Sequence, residues 1–372
     1  MLNRTRLLAV ARKETIQLRR DTRSLLMAFV LPVLLLVLFG YAISWDVKDI
    51  PMAVLDRDMS ATSRELIDTF KSSGYFQIRG FIEDEREVNA LLDRGAVRAV
   101  LVIPPGFSRD LGSGERTPVQ VIVDGSDANT ATIALGYTRG IVQSYSSRIL
   151  LRGAEASMPI ESRTRVWYNE ELLSRNMIVP GLVAVIMMII AAMLTSLTIA
   201  REWERGTMEQ LAATPVSRAE VVLGKLLPYV GVGLIDVVLV SVIGVALFQV
   251  PFHGNPVLLM TLSLAFLIGA LGLGMFISAV ARSQLLATQM AMILTFLPAY
   301  LLSGFMYAVD VLPAPLKVIT YLVPARYFLV VTRGIFLKGV GVEVLWAQGL
   351  LMIGFAVVGL AAAARVFRKE MS

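Results

Sequence analysis

Few residues in this chain have the types and spacing to do chemistry. The densest group is REWERGTMEQLAATPVSRAE, residues 201–220, where Arg201, Glu202, Glu204, Arg205, Glu209, Arg218 and Glu220 crowd one connection between two apolar runs. A lone carboxylate, Asp236, interrupts the second of those runs. Asp124, Ser126 and Asp127 stand together in DGSDAN, and His253 is the only histidine. None of these makes a catalytic set. With no cysteine and no His-Glu-x-x-His, neither a thiolate nor a zinc pair is available, so His253, between Pro251 and Gly254, reads as a loop residue. DGSDAN reads as a strand-to-helix turn with a capping side chain. LDRDMS lacks the glycines of a dinucleotide fingerprint, and LGKLL at Leu223–Leu227 lacks the loop and hydroxyl of a P-loop. No catalytic, cofactor-binding or metal-binding residue is therefore assigned. The charges of 201–220 are left to hold or transmit rather than to react.

The elements that position them are membrane elements. Apolar residues make up 56% of the 372 and charged residues 17%, against about 45–50% and about 25% in soluble domains. Uncharged runs near the roughly 20 residues needed to cross hydrocarbon fall at Leu26–Trp45, Met177–Ala200, Pro256–Ala281, Leu286–Gly304 and Val344–Ala364. A sixth, Leu226–Gln249, is broken only by Asp236. Lipid satisfies no backbone polar group, so spans of this length must be helices. The net charge of +6 suits the positive-inside rule better than nucleic-acid binding. Arg4, Arg6, Arg12, Lys13, Arg19, Arg20 and Arg23 precede the first span, and Arg365, Arg368 and Lys369 follow the last, which puts both ends in the cytoplasm. The long first span reads as an uncleaved anchor. Within residues 1–25, Leu7, Leu8, Ala11, Thr15 and Leu18 share one helical face, with Lys13, Gln17 and Arg20 elsewhere, as in an amphipathic interfacial helix.

Residues 46–176 have soluble composition. A strand-like Pro51–Leu55 leads to SATSRELIDTFKSSG, a helix opened by a capping box of Thr62 and Glu65 and closed by Gly74. FQIRGFI alternates as a strand, DEREVNALLDRG is a helix from Asp84 to Gly95, and VRAVLVIP is a buried strand ended by Pro104 and Pro105. A short helix at Phe107–Leu111, the strand PVQVIVDG and a long helix from Asp127 towards Arg152 complete the pattern. The expected fold is thus a membrane all-α bundle of six transmembrane helices with an inserted extracytoplasmic α/β domain between the first and second helices.

Beyond the span at 177–200 and the connection 201–225, residues 226–304 hold three spans, and the loops Val250–Asn255 and Arg282–Gln284 are too short for anything but antiparallel neighbours. Ala265 with Gly269 and Ala270 with Gly274 are small-xxx-small pairs that serve either internal packing or a subunit interface. Residues 305–342 are apolar but cut by Asp310, Pro313, Pro315, Lys317, Pro324 and Arg326, which predicts short re-entrant or interfacial helices on the outer side. A last span, 343–364, and a tail, 365–372, follow. In the charged connection, Gly206 breaks the incoming helix, Thr207 with Gln210 caps a short helix through Ala213, Thr214 and Pro215 stop it, and Ser217 with Glu220 caps the next. Asp236 costs about 3 kcal/mol in hydrocarbon on insertion scales. It either lines a pathway or pairs with an ion, or it makes a structural hydrogen bond.

AREWERGTMEQLAATPVSRAEVVLGKLLPY resembles the signature of the type-two (ABC-2 type) ABC transporter permease family. The resemblance extends to IPPGFSRDL, VDGSDANTA, LSGFMYAVDVLP and YLVPARYF, over nearly the whole chain, and is nearest to a bacterial inner-membrane multidrug export subgroup. It implies a permease subunit with no ATPase site of its own, which dimerises with itself or a sister permease. Two copies of a separate ATPase carry the ATP and Mg. Glu202, Glu204, Arg205, Gly206, Thr207 and Glu209 would form the element seated in that ATPase. A periplasmic adaptor protein and an outer-membrane channel are further implied partners. The rival readings are a membrane-anchored sensor or scaffold, which five further spans disfavour, and a proton-driven carrier.

Overall fold

In the computed structural model the described residues are 3–43, 49–115, 117–126, 128–151, 168–169 and 173–367; the expectations at Trp45, Asp127, Arg152 and 368–372 lie outside them. The chain divides into two units, residues 45–165 and the remainder. The first elements are α1 (Arg4–Arg20), α2 (Thr22–Leu25) and α3 (Leu31–Ala42), the last two joined by a π turn at Leu26–Val30. Asn3 opens α1 by accepting the Thr5 N–H, and Arg19 and Arg20 complement the dipole at its end.

The smaller unit contains β1 (Ile50–Asp56), α4 (Ala61–Ser72), β2 (Phe76–Phe81), α5 (Glu85–Asp93), β3 (Ala99–Ile103), α6 (Phe107–Gly112), β4 (Gln120–Val123) and α7 (Ala128–Leu151). The sheet order is β2-β1-β3-β4, with β1 parallel to both neighbours and β4 antiparallel to β3. Alternate residues serve opposite faces. Met52, Val54 and Leu101 pack with Phe70 of α4 and Ile141 of α7, whereas Ala53, Leu55 and Val100 pack with Val88 of α5. Burial on both faces explains why these strands read as unbroken apolar runs. Gly74 and Gly95 close their helices with φ of +73° and +64°. The start of α4 differs from expectation: Ser60, not Thr62, is the cap, accepting the Ser63 N–H. Asp56 decides this, because its carboxylate accepts the N–H groups of Asp58 and Met59 and the Ser63 hydroxyl at 2.6 Å, which fixes the turn and starts the helix at once.

The larger unit continues with α8 (Ser174–Glu204), α9 (Met208–Ala212), α10 (Arg218–Ala246), α11 (Pro256–Ala281), α12 (Gln284–Ala291) running through a π turn into α13 (Leu297–Leu301), α14 (Ala314–Thr320), α15 (Pro324–Arg333) and α16 (Val342–Val366). Among the described residues five helices are long and apolar enough to cross a membrane: Ser174–Glu204, Arg218–Ala246, Pro256–Ala281, Gln284–Leu301 and Val342–Val366. They coincide with five of the six expected spans. The first span corresponds to a shorter apolar helix, Leu26–Ala42, running on from α2. The segment expected to re-enter is a pair, Ala314–Thr320 and Pro324–Lys338, bent by 75°; counted as one span it would bring the total to six.

Buried along most of its length, α8 is the centre of this unit. The small residues of α11 let its neighbours approach: a Cβ on Gly274 would collide with Ala192 and Thr195 of α8, and one on Gly272 would lie 2.9 Å from the Gly359 carbonyl carbon of α16. These positions therefore serve packing inside the bundle. Polar contacts fasten it, with the Thr195 hydroxyl donating to the Leu271 carbonyl at 2.9 Å and Ser278 Oγ accepting the N–H groups of Ile199 and Ala200. Gly269 meets Phe355 and Gly272 meets Gly359, so α11 and α16 run parallel. Consequently α1, the 205–217 connection and the C-terminal ends of α11 and α16 gather on one face. On the opposite face the His253 N–H donates to the Phe336 carbonyl at 3.0 Å.

Gly274→Ala should force α8 and α11 apart and destabilise the protein by roughly 1–3 kcal/mol. Gly231→Ala, with no atom within 4 Å of the new methyl group, should be neutral or up to about 1 kcal/mol stabilising. Thermal unfolding in detergent of the two variants and the parent checks the contrast.

Candidate functional site

The charged connection is an elbow whose geometry follows from local chemistry. Helix α8 stops at Glu204; Arg205 caps it, and Gly206 takes the left-handed conformation at φ +67°. The Thr207 N–H then reaches back to the Glu202 carbonyl at 3.1 Å and the Gly206 N–H to that of Trp203 at 3.2 Å, closing the helix end. Thr207 departs from expectation, because its hydroxyl lies 3.4 Å from the Glu202 carbonyl, to which it donates. The helix end it follows competes for that hydroxyl. The five-residue α9 follows, and the Ala213 N–H closes it on the Glu209 carbonyl. The second capping box forms in full, with the Ser217 N–H donating to Glu220 Oε2 at 2.8 Å and the Glu220 N–H to Ser217 Oγ at 3.3 Å.

Behind the elbow lies a network that ties three helices together. Lys225 on α10 is 1% exposed, and its Nζ donates to Glu14 Oε2 of α1 at 3.1 Å and to Glu202 Oε1 of α8 at 2.9 Å. Lys13 Nζ, half-exposed, donates to the same Glu202 oxygen at 2.7 Å, and the Tyr229 hydroxyl donates to Glu14 Oε1 at 3.2 Å. Two carboxylates thus face two ammonium groups, and the set is neutral. Glu220 also accepts the Asn3 N–H at 2.7 Å, and Arg6 donates to the Pro215 carbonyl, so the start of α1 is pinned to the elbow. Further round, Arg201 pairs with Asp21 at 2.7 Å. Burial pushes the Asp21 carboxyl up, but hydrogen bonds from Ser24 and the Arg201 charge outweigh it and hold the group below the ordinary carboxylate range.

The six residues singled out in the sequence do not share one surface. Glu202 points inward and is 3% exposed; Glu204 is exposed but accepts both the backbone N–H and side-chain amide of Gln284. Thr207 is half-buried, while Arg205, Gly206 and Glu209 are exposed. Against the other helices α1 presents a face distinct from the apolar one read in the sequence. Its buried stripe is Val10, Glu14 and Leu18, while Leu8 is 61% exposed. The reason is Lys225: a charge buried on α10 needs an acid on the helix laid against it. Glu14, Lys225, Tyr229 and Asp21 were not picked out by sequence reasoning. The signal for Glu14 was present in the i, i+4 stripe Val10–Glu14–Leu18, whose central acid looks wrong for a lipid-facing surface.

Asp236 lies on α10, fully buried, and neither carboxylate oxygen has a hydrogen-bond partner among the described residues. Gly233 packs on Leu267, which sets the register of antiparallel α10 and α11 and brings Ser263, whose hydroxyl is likewise buried without a partner, to the level of Asp236. In the smaller unit Asp124 makes a turn. Hydrogen bonds from Ser126 and the Arg98 guanidinium hold its carboxyl at about 2. His253 sits in its loop with Nδ1 3.3 Å from the Phe336 carbonyl oxygen. Among the described residues no group of His, Asp and Glu side chains is placed to hold a metal.

The larger unit is a multi-pass helical bundle with a capped, ion-paired elbow on one face. The chain matches the family described as ABC-2 family transporter protein over residues 23–364. It is similar to the probable multidrug ABC transporter permease YbhS of Escherichia coli (strain K12), with 38% identity over 361 residues, covering 96% of this chain and 95% of that protein. It is also similar to the probable multidrug ABC transporter permease YbhR of the same strain, 32% identical over 98% of this chain and 99% of that one. With the inner membrane transport permease YhhJ of that strain it shares 28% identity, over 86% of each chain. The chain belongs to the ABC-2 transporter family. It is the permease subunit of an ABC exporter, and ATP hydrolysis falls to a partner subunit.

Removing one buried charge from the network should cost far more than removing all three of its buried charges, Glu14, Glu202 and Lys225. Lys225→Met leaves Glu14 and half of Glu202's partners unmatched, and a loss of about 3–5 kcal/mol is expected. Adding Glu14→Gln and Glu202→Gln to that variant should recover most of it, and unfolding midpoints of the single and triple variants measure the difference.

Proposed function

We propose that this permease sits in a bacterial inner membrane and exports drugs or other amphipathic molecules, with the elbow as the element on which its ATPase pushes. The elbow face lies in the cytoplasm in this reading, and the sheet unit lies outside it. Two permease chains, alike or sister, enclose the substrate path, and two ATPase subunits hold the ATP and Mg. An adaptor protein outside the membrane is a fitting partner for the sheet unit. Similarity to YbhS and YbhR, both probable multidrug permeases, supports the substrate class. The run of basic residues on α1 supports the orientation.

One observation carries the mechanism: a short helix, α9, with Glu209 and Gln210 exposed, lies between the closed end of α8 and the capping box of α10 and is backed by charges shared among α1, α8 and α10. A helix held this way moves as part of a body. Force applied at Glu209 passes through Gly206 to α8 and through Ser217 to α10, and the network keeps both in step with α1. Arg205 and Glu209, exposed on either side of Gly206, give the partner its register; Glu202 and Glu204 hold the elbow from within, and Thr207 tightens its turn.

Glu209→Lys and Gly206→Pro are each expected to abolish ATP-dependent export in inside-out vesicles while leaving membrane insertion intact, since one reverses an exposed charge and the other cannot adopt a positive φ. Unchanged export in both would remove the elbow from the mechanism. Asp236, in this reading, lines the path. Asp236→Asn should then change the range of substrates exported, and an unaltered range at full rate would make the carboxylate structural.

A further inference from the structure

On the elbow face, a cavity of about 680 Å³ opens between α1, the end of α8 and the start of α12. Four cationic side chains line it: Lys13, Arg20, Arg201 and Arg205. Two are already matched, Lys13 with Glu202 and Arg201 with Asp21. Asp21, the only carboxylate among the described residues that line the cavity, is used up by Arg201 and by Ser24, whose hydroxyl donates to it at 2.7 Å. Arg20 and Arg205 are exposed and have no ion-pair partner among the described residues. The cavity therefore carries about two positive charges that no carboxylate among the described residues pairs with. Gln17 and Gln284 add side-chain amides to the same lining.

The rest of the wall is apolar. Ile16 of α1, Met27 of the first membrane helix and Leu197 of α8 line the side that runs from the basic mouth into the bundle. Ile16 is 44% exposed and Leu8, on the same helix, 61%, so α1 presents apolar surface as a helix lying in a membrane interface does. A basic rim over an apolar wall, at the end of membrane helices, has the chemistry of a headgroup site: guanidinium groups take phosphate oxygens in pairs, and the chains below need hydrocarbon contact. An acidic loop of a protein partner would use the rim and leave the wall unoccupied.

We infer that this cavity binds the phosphate headgroup of an anionic phospholipid, with its acyl chains against Met27 and Leu197, so that a lipid bridges α1 to α8 beside the ion network. Either leaflet offers such lipids, and the inference rests on the placing of α1 in the interface rather than on which side is the cytoplasm. Binding bridges two elements that separate on unfolding and therefore stabilises the folded protein.

The test uses the purified full-length chain, and since it reads binding alone, its failure would leave the export reading standing. Native mass spectrometry counts phospholipids retained from mixed phosphatidylcholine and phosphatidylglycerol micelles, and thermal unfolding is followed with each lipid and with inorganic phosphate. The parent should retain phosphatidylglycerol in preference to phosphatidylcholine and gain thermal stability from it alone. Arg20→Gln should weaken that retention roughly fivefold, Arg20→Glu more, and Arg20→Lys should restore most of it. If Arg20→Glu fails to fold, the Gln and Lys variants still decide. Equal retention of both lipids, or unchanged phosphatidylglycerol retention in Arg20→Gln, would overturn the inference. So would a shift of the same size from inorganic phosphate, which would mark an anion site with no role for the acyl chains.

Discussion

The ammonium of Lys225 lies between the carboxylates of Glu14 and Glu202, at 3.1 and 2.9 Å, where almost no water reaches it. A cation in that position costs several kcal/mol unless it is matched, and the matching acids come from two other helices. The constraint propagates from there. Because Glu14 must face α10, α1 turns its Val10–Glu14–Leu18 stripe inward and leaves Leu8 outside. Because Glu202 must face the same way, the last turn of α8 is fixed in rotation, and the elbow that follows can leave only in one direction. Asn3 on Glu220 and Arg6 on the Pro215 carbonyl then close the ring from α1 to the far side of the elbow.

Where structure is written in adjacent residues, the sequence could be read closely. The sheet unit is recovered strand by strand, because buried strands show as apolar runs and Asp84, Gly74 and Gly95 mark helix ends by rules that act within a few residues. The elbow is recovered for the same reason, including both halves of the Ser217–Glu220 box. Local rules fail where two candidates compete within a turn. Ser60 displaces Thr62 because Asp56 has already organised the loop, and Thr207 is drawn back to the helix behind it. They fail more completely where a partner is remote. Nothing near Glu14 announces Lys225, 211 positions away. An amphipathic pattern shows that a helix has two sides but not whether lipid or protein takes the apolar one.

The bundle settles one question that periodicity leaves open. Small residues on α11 suit a subunit interface as well as internal packing, and only the identity of the facing atoms decides. Those atoms are Ala192, Thr195 and Gly359, all within this chain. With α11 spent on α8 and α16, the proposed pairing with a second permease must use helices whose apolar side chains remain uncovered. Both α10, with Ile235 and Val242 exposed, and α12 to α13, with Ile293 and Leu297 exposed, qualify on that ground.

The two helices that leave the elbow are not mechanically alike. Between the network and its other end, α8 is buried on nearly all sides, and its one internal proline, Pro180, lies far from the elbow. Helix α10 carries Pro228 only three residues beyond Lys225. A proline there removes the hydrogen bond to the Gly224 carbonyl and gives the helix a place to bend. Asp236 lies beyond that point, about 16 Å along α10 from Lys225 at about 1.5 Å per residue. In the proposed mechanism a push on α9 therefore moves α8 as a rigid rod, while α10 divides at Pro228 into a short segment locked to the network and a long one free to tilt. The buried, unpartnered carboxylate of Asp236 rides on the long segment. It is the group that such a tilt would carry past α11, and with it the Ser263 hydroxyl would gain or lose its neighbour.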